Sequence, residues 1–259
     1  FSLPLLPGAI SYLALTSFAR VILERYVNLE IIGIYNIAYT IAFATNMVIQ
    51  SFYKALEPNI FQRYNPDTLE QDFIPYMSKM NNIYNFALYA LALGLSLFSN
   101  EALMIVASKS YYSAAFYVPF VLVGVVFSGR NMLMSCALTA EKRSVISGIG
   151  TMIGAVLSVT INLILIPKIG VIAAPIALSV SYMVMNIYLK VCTKIKFFNN
   201  LQDAVAMIIF LVVSVFPLMN VDFPEIALIG IKSALYIAAM ALLFLIFNIK
   251  GFIISYKTK

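Results

Sequence analysis

The charged residues of this chain fall between eight uncharged, largely apolar runs: 1–19, 31–53, 80–100, 110–129, 144–167, 169–189, 204–221 and 233–249. None alternates polar and apolar positions with period two, as a strand of a membrane barrel does. Each is close to the ~20 residues that carry a helix across the hydrocarbon core. The pattern therefore predicts an all-α membrane protein with about eight transmembrane helices. Residues 99–108 are too short to cross and predict a helix lying in the outer interface.

Polar positions inside the runs are spaced as helix faces. In the second run Tyr39, Phe43, Asn46, Gln50, Tyr53 and Glu57 step by four and three and share one face, with Ile, Ala, Val and Leu opposite. A polar stripe in lipid faces either protein or water. Pro58 then kinks or ends this helix. Lys79, Asn82, Phe86 and Tyr89 share a face of the third run. The fourth run is followed at once by Arg130 and ten more uncharged residues, 131–140. Even on the mildest scale an arginine so placed costs roughly 2.5 kcal/mol in lipid, unless it meets a wet cavity, a partner or a substrate. Tyr117, Gly124, Ser128, Asn131 and Ser135 form a polar and small-residue face beside it. Arg20 faces a cavity, snorkels outward, or pairs with Glu24 one turn on. Gly150 and Gly154 form a small-xxx-small pair that suits close helix packing. Asn162 reads as an interhelical hydrogen-bonding residue.

Composition agrees: 62% of the 259 residues are hydrophobic and 11% charged, with a mean hydropathy of +0.94. Soluble domains average about 45–50% apolar and about 25% charged. There is no His, and Cys136 and Cys192 lack metal-ligand spacing, so neither zinc chemistry nor Cys–His catalysis has support. No cofactor is implied. The basic pI of about 9.2 comes from loop residues and reports orientation, not nucleic acid. Loops 54–79, 141–143, 190–203 and the tail after 249 hold 11 lysines and arginines, against four in the alternate loops. The positive-inside rule puts the first set, and both chain ends, in the cytoplasm. The start at Phe1, with no n-region or cleavage site of a signal peptide, reads as a chain whose N-terminal part is missing. The last two runs have almost no polar stripe and read as peripheral.

Several segments resemble a known family. Pro4-Leu5-Leu6-Pro7 through Arg20, then Ile32-Gly33-Ile34-Tyr35-Asn36 with Ala38-Tyr39, are similar to the seventh and eighth helices of polysaccharide-exporting flippases. The run Asn162-Leu163-Ile164-Leu165-Ile166-Pro167-Lys168-Ile169-Gly170 and on to Ala177 resembles their eleventh-to-twelfth hairpin, and Tyr112-Ser113-Ala114-Ala115 the entry to their tenth helix. The family is the Wzx-like O-antigen and capsule flippase group of the multidrug/oligosaccharidyl-lipid/polysaccharide exporter superfamily. The resemblance implies a C-terminal six-helix lobe over 1–196 and two additional peripheral helices over 197–259. Relatives often carry an acid where Ala19 stands here, so a buried acid–Arg pair is not carried over. Pro175 likewise stands where many relatives have a small residue.

Such a flippase is not an enzyme. It moves undecaprenyl-diphosphate-linked oligosaccharides across the bacterial cytoplasmic (inner) membrane for O-antigen, capsule or exopolysaccharide assembly. It works by alternating access, with one lobe rocking against the other. Implied partners are the lipid-linked oligosaccharide, membrane lipids, a proton or sodium gradient, and a polysaccharide polymerase with its chain-length regulator. The residues suit that load. Arg130, Arg20, Lys79 and Lys54 supply cations for a diphosphate. Asn46, Gln50, Asn82 and Asn131 offer amides to sugar hydroxyls, and Tyr39 and Tyr53 offer amphipathic rings. A multidrug/cation antiporter of the same superfamily needs acids in its cavity, and the spans are poor in them. A membrane-embedded glycan polymerase or acyltransferase needs acid–base groups at mid-membrane, and few are present. A purely structural partner leaves Arg130 unexplained.

Overall fold

A computed structural model of the chain describes residues 6–193, 195–216 and 224–248. These residues form nine α-helices joined by short turns and no strand: α1 (Leu6–Tyr26), α2 (Leu29–Arg63), α3 (Ile74–Leu97), α4 (Ser99–Val106), α5 (Val118–Ala140), α6 (Ser144–Ile169), α7 (Ala173–Cys192), α8 (Asn200–Val215) and α9 (Glu225–Ile246). A helix stands at each predicted span, and the eight-residue α4 occupies the stretch predicted to lie in the interface. By length and apolarity, α2, α5, the α6–α7 unit and α9 qualify as membrane spans, and α3 with α4 forms a pair bent by 73°. The chain is an all-helical, multi-pass membrane protein. Pro4, Leu5, Lys194, residues 217–221 and the tail after 249, on which parts of the sequence reading rest, lie outside the described residues.

The run that carries Arg130 is the centre of the bundle. Sixteen of the 23 residues of α5 are buried, and α2, α3, α6, α7 and α8 all pack on it. A helix apolar on nearly every side is what such a position demands. Pro119 sits in its first turn, where its missing N–H costs nothing. Its last turn closes on Lys142 at φ 59°, with the Arg143 amide donating to the Leu138 carbonyl at 2.8 Å. That is a left-handed C-cap carried by a lysine instead of glycine. The Arg143 guanidinium also donates to the Cys192 carbonyl at 3.0 Å, tying this turn to the end of α7.

α2 continues past Pro58 to Arg63 without ending there. Pro58 and Lys54 are both exposed, so the Lys54 carbonyl that loses its intrahelical donor is open to other partners. α6 and α7 fold back as a hairpin at Gly170, whose φ of 66° and ψ of −144° only glycine adopts cheaply. The hairpin packs closely: a Cβ on Gly150 would stand 3.1 Å from the Tyr188 ring, and one on Gly154 2.9 Å from Leu15 of α1 and 3.6 Å from the Ser181 carbonyl. Asn162 turns inward but donates within its own helix, to the Ser158 carbonyl at 2.8 Å.

α8 and α9 pack on α3 and on each other. The face of α3 that begins with Lys79 and Asn82 meets them further on: Phe86 sits edge-on to Phe244, and Tyr89 lies between Phe210 and Phe247. Both added helices carry a buried charge, which their apolar sequences did not lead one to expect. Lys232 of α9 is 1% exposed and donates to Glu101 of α4 at 2.6 Å. Asp203 of α8 is 4% exposed.

Gly154→Val should lower stability by about 1–3 kcal/mol through overpacking against α1 and α7. Gly148→Ala, where a Cβ meets nothing within 4 Å, should be neutral or slightly stabilising. Thermal unfolding of the purified chain in detergent reads both; equal melting points for Gly154→Val and the parent would reject the close-approach role.

Candidate functional site

Two cavities flank α5, and the polar residues picked out from the sequence divide between them. The first, of about 380 Å³, is lined by Asn46, Gln50 and Tyr53 from α2 and by Ser128, Asn131 and Ser135 from α5, with Tyr12, Thr151 and Tyr182 completing a polar wall. The spacing explains the assembly: 46, 50 and 53, like 128, 131 and 135, recur every three or four residues and lie on one side of their helices. Several of these groups are held in place. Asn131 donates to the Tyr182 carbonyl at 3.0 Å and accepts from Asn186 at 2.9 Å. Ser135 meets Ser147 at 2.7 Å. Tyr53 donates to Glu57 at 3.1 Å. Among the described residues, no carboxylate lines this cavity. It offers amides, hydroxyls and phenol rings, a set suited to neutral polyhydroxy groups.

Arg20 and Tyr39, expected on the same wall, line neither cavity and meet each other instead. The Arg20 guanidinium carbon lies 4.9 Å from the centre of the Tyr39 ring, whose other neighbour is Phe43, stacked at 4.9 Å. No ion pair with Glu24 forms; Glu24 is exposed, and among the described residues Arg20 has no acidic partner. Its Nε is buried with no hydrogen-bond partner among the described residues. A cation held against an aromatic face keeps its full charge.

Arg130 points to the opposite side of α5. The sequence reading placed it and the α2 stripe around one cavity, and the structure separates them. Positions 130 and 131 are consecutive on a helix, so their side chains diverge by about 100°. Asn131 faces the first cavity while Arg130 faces a second, of about 680 Å³, with Asn186, Lys190, Lys196 and Asp203 on its wall. Arg130 donates to Asp203 Oδ2, and both side chains are 5% exposed. Lys190 donates to the same oxygen at 2.8 Å and to Asn200 Oδ1 at 3.1 Å. The Asn186–Asn131 hydrogen bond is the partition, since each amide lines one of the two cavities.

The remaining expected residues lie elsewhere. Lys54 is exposed, and Lys79 and Asn82 are half-buried on α3; none is among the residues lining either cavity. The sequence reading missed Asp203 and Lys190. The usable signal was Asp203 itself, an acid placed immediately before an apolar run.

No protein-family model matches this sequence, and no curated protein matches it. Among solved structures, the lipid II flippase MurJ in an inward closed conformation superposes with a TM-score of 0.66 over 93% of this chain, at 17% identity. The match covers 53% of that protein, so this chain spans about half its length and shares the fold of that part.

Breaking a buried ion pair from one side costs about 3–5 kcal/mol, because the remaining charge is stranded. Asp203→Ala strands two cations and Arg130→Ala leaves Asp203 still held by Lys190. Asp203→Ala should therefore destabilise more than Arg130→Ala, and Arg130→Met with Asp203→Leu should recover part of the loss, since only Lys190 is then left without its acid. Denaturant unfolding of the three variants checks the order; a larger loss for Arg130→Ala would contradict the shared-acid arrangement.

The first cavity makes a second prediction. Cysteines at Asn46, Gln50 and Tyr53 should react with a membrane-impermeant thiol reagent, and those at the lipid-facing Val48 and the fully packed Ile49 should not. Labelling that ignores this three-and-four spacing would show that water does not enter there.

Proposed function

We propose that this chain is one lobe of a Wzx-like flippase that carries an undecaprenyl-diphosphate-linked oligosaccharide across the bacterial cytoplasmic membrane, for O-antigen, capsule or exopolysaccharide assembly. The supporting observation is the carboxylate-free, amide- and hydroxyl-lined cavity inside a membrane bundle, together with an unneutralised arginine, Arg20, held on Tyr39 of α2, the helix that supplies three of the cavity's wall residues. The fold shared with about half of a lipid II flippase supports the same class of substrate.

In this reading Asn46, Gln50, Tyr53 and Asn131 meet sugar hydroxyls and ring faces while the lipid tail stays in the bilayer. Arg20, steadied on Tyr39, receives the diphosphate. An unmatched anion is very costly in a low-dielectric space, and a fixed cation lowers that cost only where its own charge is not already cancelled. Arg20 meets this condition and Arg130, paired with Asp203, does not. Arg130, Lys54, Lys79 and Asn82 take no part in head-group binding in this conformation. A second lobe closes the far side of the cavity, and rocking of the two lobes exposes it alternately. The lack of acids on the cavity wall weighs against a drug–cation antiporter, and the same lack leaves a polymerase or acyltransferase without a general base.

Arg20→Ala should reduce export of the lipid-linked glycan strongly, and Arg20→Lys should retain part of it, since charge remains while the planar fork is lost. Asn46→Leu with Gln50→Leu should reduce export at unchanged protein level. The measurement is surface polysaccharide in a strain lacking its own flippase, read against the amount of protein in the membrane. Parental export by both Arg20→Ala and the double variant would sink the reading.

A further inference from the structure

The second cavity is not needed by the reading above. It lies across α5 from the polar cavity and behind the Asn131–Asn186 partition. Its composition has two parts. Three cations, Arg130, Lys190 and Lys196, line it with one acid, Asp203, which Arg130 and Lys190 share. Lys196 is exposed between the buried Ile195 and Phe197, which turn it outward at the cavity mouth. It has no ion-pair partner among the described residues. The site thus keeps an excess of two positive charges beside an apolar surface. With Asp203 shared between Arg130 and Lys190, these two partly buried cations have one counter-ion between them, and a further anion would match the second.

The other part is an apolar track. Met183, Ile187 and Val191 of α7 line the cavity and are 39%, 54% and 79% exposed. They recur every four residues, so they form one stripe up the outside of the bundle that ends at Lys190 and Lys196. Phe198 closes the rim, with Lys190 Nζ 5.0 Å from its ring centre. An anion site at the end of an exposed apolar stripe matches one class of ligand, a charged head group with a hydrocarbon chain.

We propose that the cavity between α5, α7 and α8 binds an anionic phospholipid of the surrounding bilayer. Its phosphate sits against Lys190 and Lys196, and an acyl chain lies along Met183, Ile187 and Val191. The bound lipid supplies the second anion that the Arg130–Asp203–Lys190 cluster lacks, and so fixes α8 to α5 and α7. The inference needs only that the chain spans a membrane, so it stands or falls separately from the flippase reading.

The test is native mass spectrometry of the purified full chain with phosphatidylglycerol or phosphatidylcholine, together with melting temperature. Phosphatidylglycerol should be retained more tightly and should raise the melting temperature more. Lys190→Gln with Lys196→Gln should weaken its retention by about fivefold for each charge removed. If the double variant does not fold, Lys196→Gln alone, at an exposed position, should still give the single fivefold loss. Equal retention of the two lipids, or a preference unchanged in the variants, would overturn the proposal. So would displacement of the lipid by millimolar inorganic phosphate, which would mark a site for a free anion. Tighter retention of undecaprenyl phosphate than of phosphatidylglycerol would overturn it as well, by giving the site to a carrier lipid.

Discussion

A charge carried into the bilayer interior has to be matched, and the bundle is arranged around how that is done for Arg130. It lies on the most buried helix, where leaving it alone would cost several kcal/mol. The partner is not on a neighbouring turn but on α8, 73 residues away. Without α8 the central helix would present an unmatched cation at its core. The helix that looks most dispensable from its apolar sequence is therefore bound to the most central one by the interaction least able to be lost. Lys232 of α9 and Glu101 of α4 repeat the device elsewhere. Apolar packing between helices gives little direction in a membrane, because lipid tails are as apolar as leucine, and a charge pair fixes which faces meet.

Matching one arginine leaves the other conspicuous. Arg20 rests on an aromatic ring and keeps its charge. The two arginines thus differ in what their surroundings allow them to do. One is tied to an acid on another helix, and the other has no acidic partner among the described residues. The polar cavity between α2 and α5 is divided from the cationic one by a single pair of amides. Neutral polar side chains and excess positive charge are thereby kept on different sides of one helix.

Much of this was legible in the sequence. Charge-free runs gave every long helix, because the bilayer sets both their length and their composition. The short interfacial α4 was legible for the same reason. The faces of α2 and α5 were legible because a three-and-four spacing decides orientation within one helix: Asn46, Gln50, Tyr53 and Asn131 do meet. Which helix lies against which face was not legible. Periodicity says that Arg130 and Asn131 point apart, but not that Asp203 waits for the first and Asn186 for the second. The same gap hid the role of the α3 face at Phe86 and Tyr89, which receives α8 and α9 and lines neither of the two cavities beside α5. Glu24 was in place to pair with Arg20 by spacing alone, and the ring of Tyr39, on another helix, took its place.

The order in which the chain is made gives the Arg130–Asp203 pair a meaning in time. Ribosomes add about 5–20 residues per second, so the 73 residues between the two charges take roughly 4–15 s to synthesise. For those seconds the arginine has been made and its aspartate has not. Any time that α5 spends in lipid before α8 follows carries an unmatched cation, at a cost of about 2.5 kcal/mol or more. The pair therefore couples the closing of the central helix to a segment synthesised well after it.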